Sequence, residues 1–378
     1  MKKQVRMQQL NNTEKQETRT LWEENFPEDR REFLDYYYSE KTRENRILAM
    51  KEDRKLISML HLNPYRLELS GEIMQSYYIV AVATKQKYRH QGYMSILLRQ
   101  ALKQAEQEGS PFLFLMPAKE IIYEPFDFVT VYERLDYILP IEKESVLGDR
   151  KKVVLEVLEF SSKDSLPYQK VLQELVEFYH MVLSSRFDIY TVRDLSYVKE
   201  SLLEQQSQNG GMLLFRKADT KKLIGACYYT KEDEMELREL LCDKEWEKAI
   251  LQELYDSEFC QGQVKLYGAD FQTIAQKPWK NAPCIMVRIT NLAALHGCFK
   301  LNCISETEPF QEHRIQLLDP LLPNQQGIYR LFPLERDNKS FLGIERLPEK
   351  ARYQKTLAVD EFTKKYIKNQ KIFLNEIV

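Results

Sequence analysis

Over the first 45 residues the apolar positions fall at helical spacing, Leu21, Trp22 and Phe26 and then Phe33, Leu34 and Tyr37, which predicts two helices. From Arg46 the period shortens. The runs 47–50, 56–62, 63–70 and 73–84, set off by a charged turn at 51–55 and by Gly71-Glu72, read as an antiparallel meander. A polar loop, 85–91, then leads into Gly92 and a segment with Met94, Leu97, Leu98, Ala101, Leu102 and Ala105 along one face of a helix. Gly109 stands where such a helix ends. Residues 111–116 and 128–139 read as two further strands.

After a polar stretch at 142–152 the same order begins again. A strand is expected at 153–160, an amphipathic helix at 166–183 with Val171, Leu172, Leu175, Phe178 and Tyr179 on one face, and a second helix near 196–206. A second meander covers 211–217, 223–230 and 235–241, followed by a helix near 245–256 and a strand around 263–267. The halves share a turn, running from Lys51 to Ile57 in the first and from Lys217 to Ile224 in the second. They differ at the loop that feeds the helix, which is basic with a glycine at 85–92 and acidic without one at 242–247. Only the first could wrap backbone N–H groups around a phosphate. A third part, 283–378, shows a strand at 285–289, a helix bearing Leu292, Leu295 and Phe299, strands at 314–318 and 327–332 and a helix near 359–367. The apolar residues at 372–378 predict a docked rather than a frayed end.

Composition narrows the class. Hydrophobic residues are 43% and charged residues 30% of the 378, with only 12 Gly and 14 Pro, which excludes fibrous and broadly disordered chains. Lys plus Arg number 55 against 57 Asp plus Glu, so there is no basic excess for a nucleic-acid backbone. The runs at 77–83 and 112–116 fall far short of the about 18 apolar residues of a membrane span, and the N-terminus lacks the apolar core of a secretory signal. A cytoplasmic protein with no membrane partner is expected. Six cysteines, Cys227, Cys242, Cys260, Cys284, Cys298 and Cys303, show no paired metal-ligand spacing, and His61, His180, His296 and His313 are scattered. No metal is expected, the cysteines read as reduced thiols, and no cysteine stands beside the 85–92 loop to carry an acyl group.

A strand, a short basic loop with glycine and then a helix make a general anion site, because the helix N-terminus carries unpaired N–H donors and about half a positive charge. The segment 82–94, with Arg89-His90-Gln91-Gly92-Tyr93-Met94, resembles the acetyl-CoA pyrophosphate motif of GCN5-related N-acetyltransferases (GNAT), and the whole chain resembles their Eis (enhanced intracellular survival) subfamily. Met94 occupies a position usually held by Gly or Ala, a departure tolerated in that subfamily. The resemblance implies a mixed α+β chain of three parts: a catalytic GNAT domain at 1–145, a degenerate GNAT-like domain at 146–282 and a domain similar to sterol carrier protein at 283–378. It implies that Arg89, His90, Gln91, Gly92 and Tyr93 bind the acetyl-CoA pyrophosphate, chiefly through backbone N–H groups. Val82 and Thr84 would pair with pantetheine in a gap between two parallel strands, one N–H there reaching the thioester oxygen.

The same resemblance makes Tyr123, in the segment Tyr123-Glu-Pro-Phe126-Asp-Phe128, the general acid, and assigns the terminal carboxylate of Val378 the task of holding or deprotonating the amine. Trp22, Phe26 and Tyr37 are expected to wall the acceptor pocket or to pack the core, and Glu376 to add an anion beside a cationic substrate. The expected activity is transfer of acetyl from acetyl-CoA to a primary amine of a polycationic small molecule, aminoglycoside-like, or of lysine, by direct attack in a ternary complex. The resemblance also implies a homo-oligomer, a hexamer. The alternative from another class is a non-catalytic scaffold or lipid carrier that uses the C-terminal domain.

Overall fold

A computed structural model describes residues 4–139, 152–161, 165–231, 234–271, 278–304 and 309–376. In chain order it begins with β1 (Val5–Gln9), α1 (Arg19–Asn25), α2 (Arg31–Ser39), β2 (Arg46–Glu52), β3 (Lys55–Leu69), β4 (Glu72–Thr84), α3 (Tyr93–Gln107), β5 (Phe112–Leu115) and β6 (Val129–Leu139). There follow β7 (Val153–Leu158), α4 (Leu166–Arg186), β8 (Ile189–Thr191), α5 (Leu195–Ser207), β9 (Gly211–Lys217), β10 (Leu223–Lys231), β11 (Met235–Cys242), α6 (Glu247–Asp256) and β12 (Val264–Tyr267). The last elements are β13 (Lys280–Ile289), β14 (His313–Leu318), β15 (Gly327–Arg336), β16 (Lys339–Leu347), β17 (Lys355–Ala358), α7 (Val359–Tyr366) and β18 (Ile372–Phe373). These form two compact units, one of Met1–Tyr132, Phe187–Thr191 and Cys284–Val378 and the other of Glu133–Arg186 and Val192–Pro283. Among the described residues no helix is long and apolar enough to cross a membrane.

In the first unit β1 to β4 are antiparallel neighbours in order, β5 lies parallel to β4, and β13 pairs antiparallel with β5. The apolar stripe of α3 is its buried face: Leu97, Leu98, Ala101 and Leu102 are fully buried against Leu48, Leu60, Leu62 and Leu113. Burying each such leucine is worth about 1.5–3 kcal/mol, so this stripe fixes where the N-terminus of α3 points. A smaller sheet in the order β16, β15, β14, β17 completes the unit. In the second unit β7, β9, β10 and β11 are antiparallel, β12 is parallel to β11, and residues 136–139 of β6 pair with β12. Its α6 packs Ile250, Leu251 and Leu254 on Leu213, Phe215 and Leu237.

Two expectations are corrected. The runs 56–62 and 63–70 are one strand: Pro64 lies opposite Tyr77 of β4, in the stretch between the residues of β3 that pair with β2 and those that pair with β8, so its missing N–H removes no ladder bond on that side. The helix expected at Leu292, Leu295 and Phe299 is only a short turn, Ala293–Leu295, because the Asn291 side chain accepts from Ala294 N–H and Gly297 takes φ +75°. Folding brings Cys284 to Met116 just past β5, with Sγ 3.9 Å from the Met116 sulfur.

Candidate active site

The site begins with a defect in β4. Opposite Leu60, the β3 ladder passes from Met59↔Ala83 to His61↔Val80, so that Ala81 and Val82 face a single residue. Ala81 takes φ +51°, a left-handed conformation that a non-glycine residue adopts only when its surroundings impose it. The bulge turns β4 away from β5. Their parallel pairing ends at Ile79↔Leu115, and residues 80–84 run on with no partner on that side among the described ladders. Backbone amides freed in this way are what an amide-bearing chain such as pantetheine could pair with as an added strand. Val82 and Thr84 lie on this stretch, with Thr84 Oγ1 2.7 Å from Ser58 Oγ.

The 85–92 loop continues from the end of β4. Lys85 N–H donates to Ile57 O at 2.9 Å, a short turn follows at Gln86–Tyr88, and His90 and Gly92 take φ +62° and +80° before α3 starts. Arg89, His90, Gln91 and Gly92 are exposed. The Arg89 guanidinium is turned to Asn25 Oδ1 (2.7 Å) and Thr84 O (3.2 Å), and the Gln91 side chain to Lys87 O (3.2 Å). With these side chains engaged, what the loop could offer an anion is its backbone and the first-turn N–H groups of α3, which have no acceptor within the helix. Met94 is accommodated because it leans on the apolar cluster beneath α3 rather than into the loop.

Tyr123 sits between two short turns, its N–H donating to Glu120 O at 2.8 Å and its O accepting from Phe126 N–H at 2.9 Å. Its ring meets Phe128 edge-on at 5.9 Å, in the same cluster that receives Val82, Tyr93 and Met94. Folding therefore sets Tyr123, Val82 of β4 and the first turn of α3 on one apolar cluster. Burial pushes the Tyr123 phenol up to about 12, so it is a neutral acid at any physiological pH. The turn is held from behind by Arg288, fully buried, which donates to Phe126 O at 2.8 Å and pairs with Asp319 at 2.7 Å. Sequence reading missed Arg288; the signal was an arginine inside the otherwise apolar run 285–289.

Trp22 and Tyr37 lie in a closed aromatic cluster, 4.5 Å apart, with Trp22 Nε1 donating to Asp29 at 2.6 Å and Tyr37 OH to Asn63 Oδ1 at 2.9 Å. Both are buried, while Phe26 is half-buried next to Asn25, the residue that Arg89 grips. On the same face Asn63 is paired across the sheet with Tyr78. The Tyr78 phenol is raised well above its usual range by burial, and then by Cys284, Tyr65 and Glu376. Glu376 is itself buried. Val378 lies outside the described residues.

The second unit repeats the device without its ligand loop. There the β10–β11 ladder passes from Ala226↔Leu241 to Tyr228↔Arg238, and Glu239 takes φ +53° where Ala81 takes +51°. Asp243 N–H donates to Ile224 O as Lys85 N–H does to Ile57 O, which confirms the repeat read from the shared turn. The turn Lys244–Trp246 then runs straight into α6 at Glu247, with nothing corresponding to residues 89–92.

Residues 6–131 match the family described as acetyltransferase (GNAT) domain. No curated protein sequence matches the chain. Its fold is similar to that of a conserved Enterococcus faecalis protein described as a probable N-acyltransferase, at 15% identity and a TM-score of 0.74, covering 96% of this chain and 89% of that one. It is similar to a GCN5-related N-acetyltransferase from Kribbella flavida (16%, TM-score 0.73, 94% and 87%) and to Eis1 from Mycobacterium abscessus (12%, TM-score 0.65, 96% and 89%). The described chain is thus a mixed α/β protein with a GNAT fold, and its residues 6–131 are an acetyltransferase domain of the acetyl-CoA-dependent GNAT class.

Proposed function

We propose that the protein transfers acetyl from acetyl-CoA to a primary amine of a polycationic small molecule, aminoglycoside-like, or of lysine. The observation that carries this reading is the gap that Ala81 opens between β4 and β5 beside the left-handed turn into α3. A strand-like partner and an anion are wanted at adjoining places, as a pantetheine arm and a pyrophosphate require. Acetyl-CoA supplies an activated thioester. The backbone of 80–84 aligns it, and the loop His90, Gln91, Gly92 and Tyr93 takes the pyrophosphate. Arg89 braces the loop against α1.

In this reading the amine attacks the acetyl carbon within a ternary complex, a C–N bond forms as the C–S bond breaks, and the proton of the neutral Tyr123 goes to the departing thiolate. The ammonium loses one proton, before attack, to the terminal carboxylate of Val378 or to a water it holds; the second, lost from nitrogen as the amide forms, restores the Tyr123 phenol by way of water. Glu376 adds negative charge that favours a cationic acceptor, and Phe26, backed by Trp22 and Tyr37, lines the approach. We keep the division at 1–145, 146–282 and 283–378, the sterol-carrier-like character of the last part, a cytoplasmic setting and a hexameric assembly as parts of the same proposal.

Release of free CoA thiol, followed over a panel of polyamines, aminoglycosides and lysine peptides with calorimetry of acetyl-CoA alongside, tests it. Release that depends on one amine class is the expected result. Neither binding nor release would turn the reading toward the scaffold or lipid carrier. A pre-steady-state burst of thiol lost in Cys284→Ala would replace direct attack by an acyl-enzyme.

A further inference from the structure

The segment 187–191, which leads into β8, carries the residue through which the C-terminal arm is held, and no step of the chemistry above uses it. Asp188 is buried at 2% exposure. Its N–H donates to Lys371 O at 2.7 Å, its Oδ2 accepts from Lys371 N–H at 2.9 Å, and its Oδ1 accepts from Lys300 Nζ. Cys303 Sγ lies 3.7 Å from Oδ2, and Asp188 O accepts from Ser70 N–H at 2.7 Å. Gln370 closes the other side, exchanging two hydrogen bonds with the Lys300 backbone at 2.9 and 3.2 Å. Beyond this clasp the arm becomes β18, which pairs parallel with β8 through only Ile372↔Ile189 and Phe373↔Tyr190, while β8 rests on β3.

A two-residue ladder cannot define its own register, since a slip of one residue exchanges the faces of every side chain that follows. Asp188 removes that freedom by reading Lys371 at both its N–H and its C=O. From there Leu374, Asn375 and Glu376 run buried, and Glu376 reaches the surroundings of Tyr78. We propose that Asp188 is a positioning residue for acetyl transfer: it sets the register of the C-terminal arm and so the placement of the buried Glu376 near the arm's end. This rests on the reading of that end as part of the acceptor site.

The test uses the full chain with Asp188→Ala and with Asp188→Asn, which drops the charge but keeps an oxygen for Lys371 N–H. Carboxypeptidase release of the C-terminal residues, read by mass spectrometry, reports docking of the arm. In Asp188→Ala it should quicken about 10-fold or more. Turnover should fall about 10-fold or more, as expected for a displaced reacting group, with the KM for acetyl-CoA within about twofold of the parent. Asp188→Asn should lie between. Unchanged release in both variants overturns the proposal, and if the alanine variant does not fold, Asp188→Asn and Gln370→Ala decide it. A chain extended past Val378 separates the two readings. If the extension is inactive while a freed arm leaves turnover intact, the role of Asp188 is overturned alone. If the extended chain is fully active, the reading of Val378 fails, and the release assay still decides whether Asp188 holds the arm.

Discussion

If the loop before α3 takes the pyrophosphate as proposed, backbone conformation and ligand binding meet at Gly92, which makes Gly92→Ala an informative single change. Gly92 has φ +80°, in the left-handed region, where a β-carbon costs an L-residue about 1–2 kcal/mol. An added methyl group would meet nothing within 4 Å, so no clash contributes and the torsional penalty is the whole effect. The protein can respond in two ways. If the loop keeps its shape, unfolding free energy drops by about 1–2 kcal/mol and acetyl-CoA affinity is unchanged. If the loop relaxes to negative φ, stability is spared and the same energy is spent on binding, because the amides must be driven back into place; the Kd then rises about 5- to 30-fold. Urea unfolding and calorimetry on one preparation give both numbers, and together they should come to about 1–2 kcal/mol. Gly92→Asn, a residue that tolerates this region better, should lose less. An alanine variant that matches the parent in both assays would refute the coupling of this conformation to the site.

Tyr123→Phe should lower turnover about 100-fold or more and leave acetyl-CoA affinity alone, with kinetics and calorimetry as the check; unchanged turnover removes the phenol from the mechanism. Residues added after Val378 should abolish turnover while circular dichroism and unfolding stay those of the parent. His61, fully buried beside Tyr37, is pushed down to about 3 by burial and then by Lys15. Its folded pKa is depressed, so below about 6.5 the unfolded chain binds a proton that the folded one refuses, and stability is lost as pH falls from there toward 3. The loss attributable to His61 approaches roughly 5 kcal/mol at the lower end, read as the difference in the pH dependence of urea unfolding between the parent and His61→Gln; parallel curves would contradict it.

The sequence by itself determined the local pieces: the meander, the amphipathic α3, the glycine-bearing basic loop and a second copy without that loop. Each rests on interactions within a few residues or on the side-chain period, so each is legible wherever the apolar pattern is regular. Tyr123 was legible through its motif, but its neutral state at high pH was not, since that depends on burial by α3 and Phe128. Tertiary structure alone decided the bulge. Neither Ala81 nor Glu239 favours a positive φ; both are forced into it where a long antiparallel ladder must pass one residue against two. It also decided which of the expected acceptor aromatics stay near the surface, closing Trp22 and Tyr37 inside a polar and aromatic cluster and leaving Phe26 half-buried. Arg288 behind the Tyr123 turn, and Asp188 at the clasp, meet partners 162 and 183 residues away. No local pattern encodes such pairings, because the energy that makes a buried charge tolerable comes from groups that only the folded chain assembles.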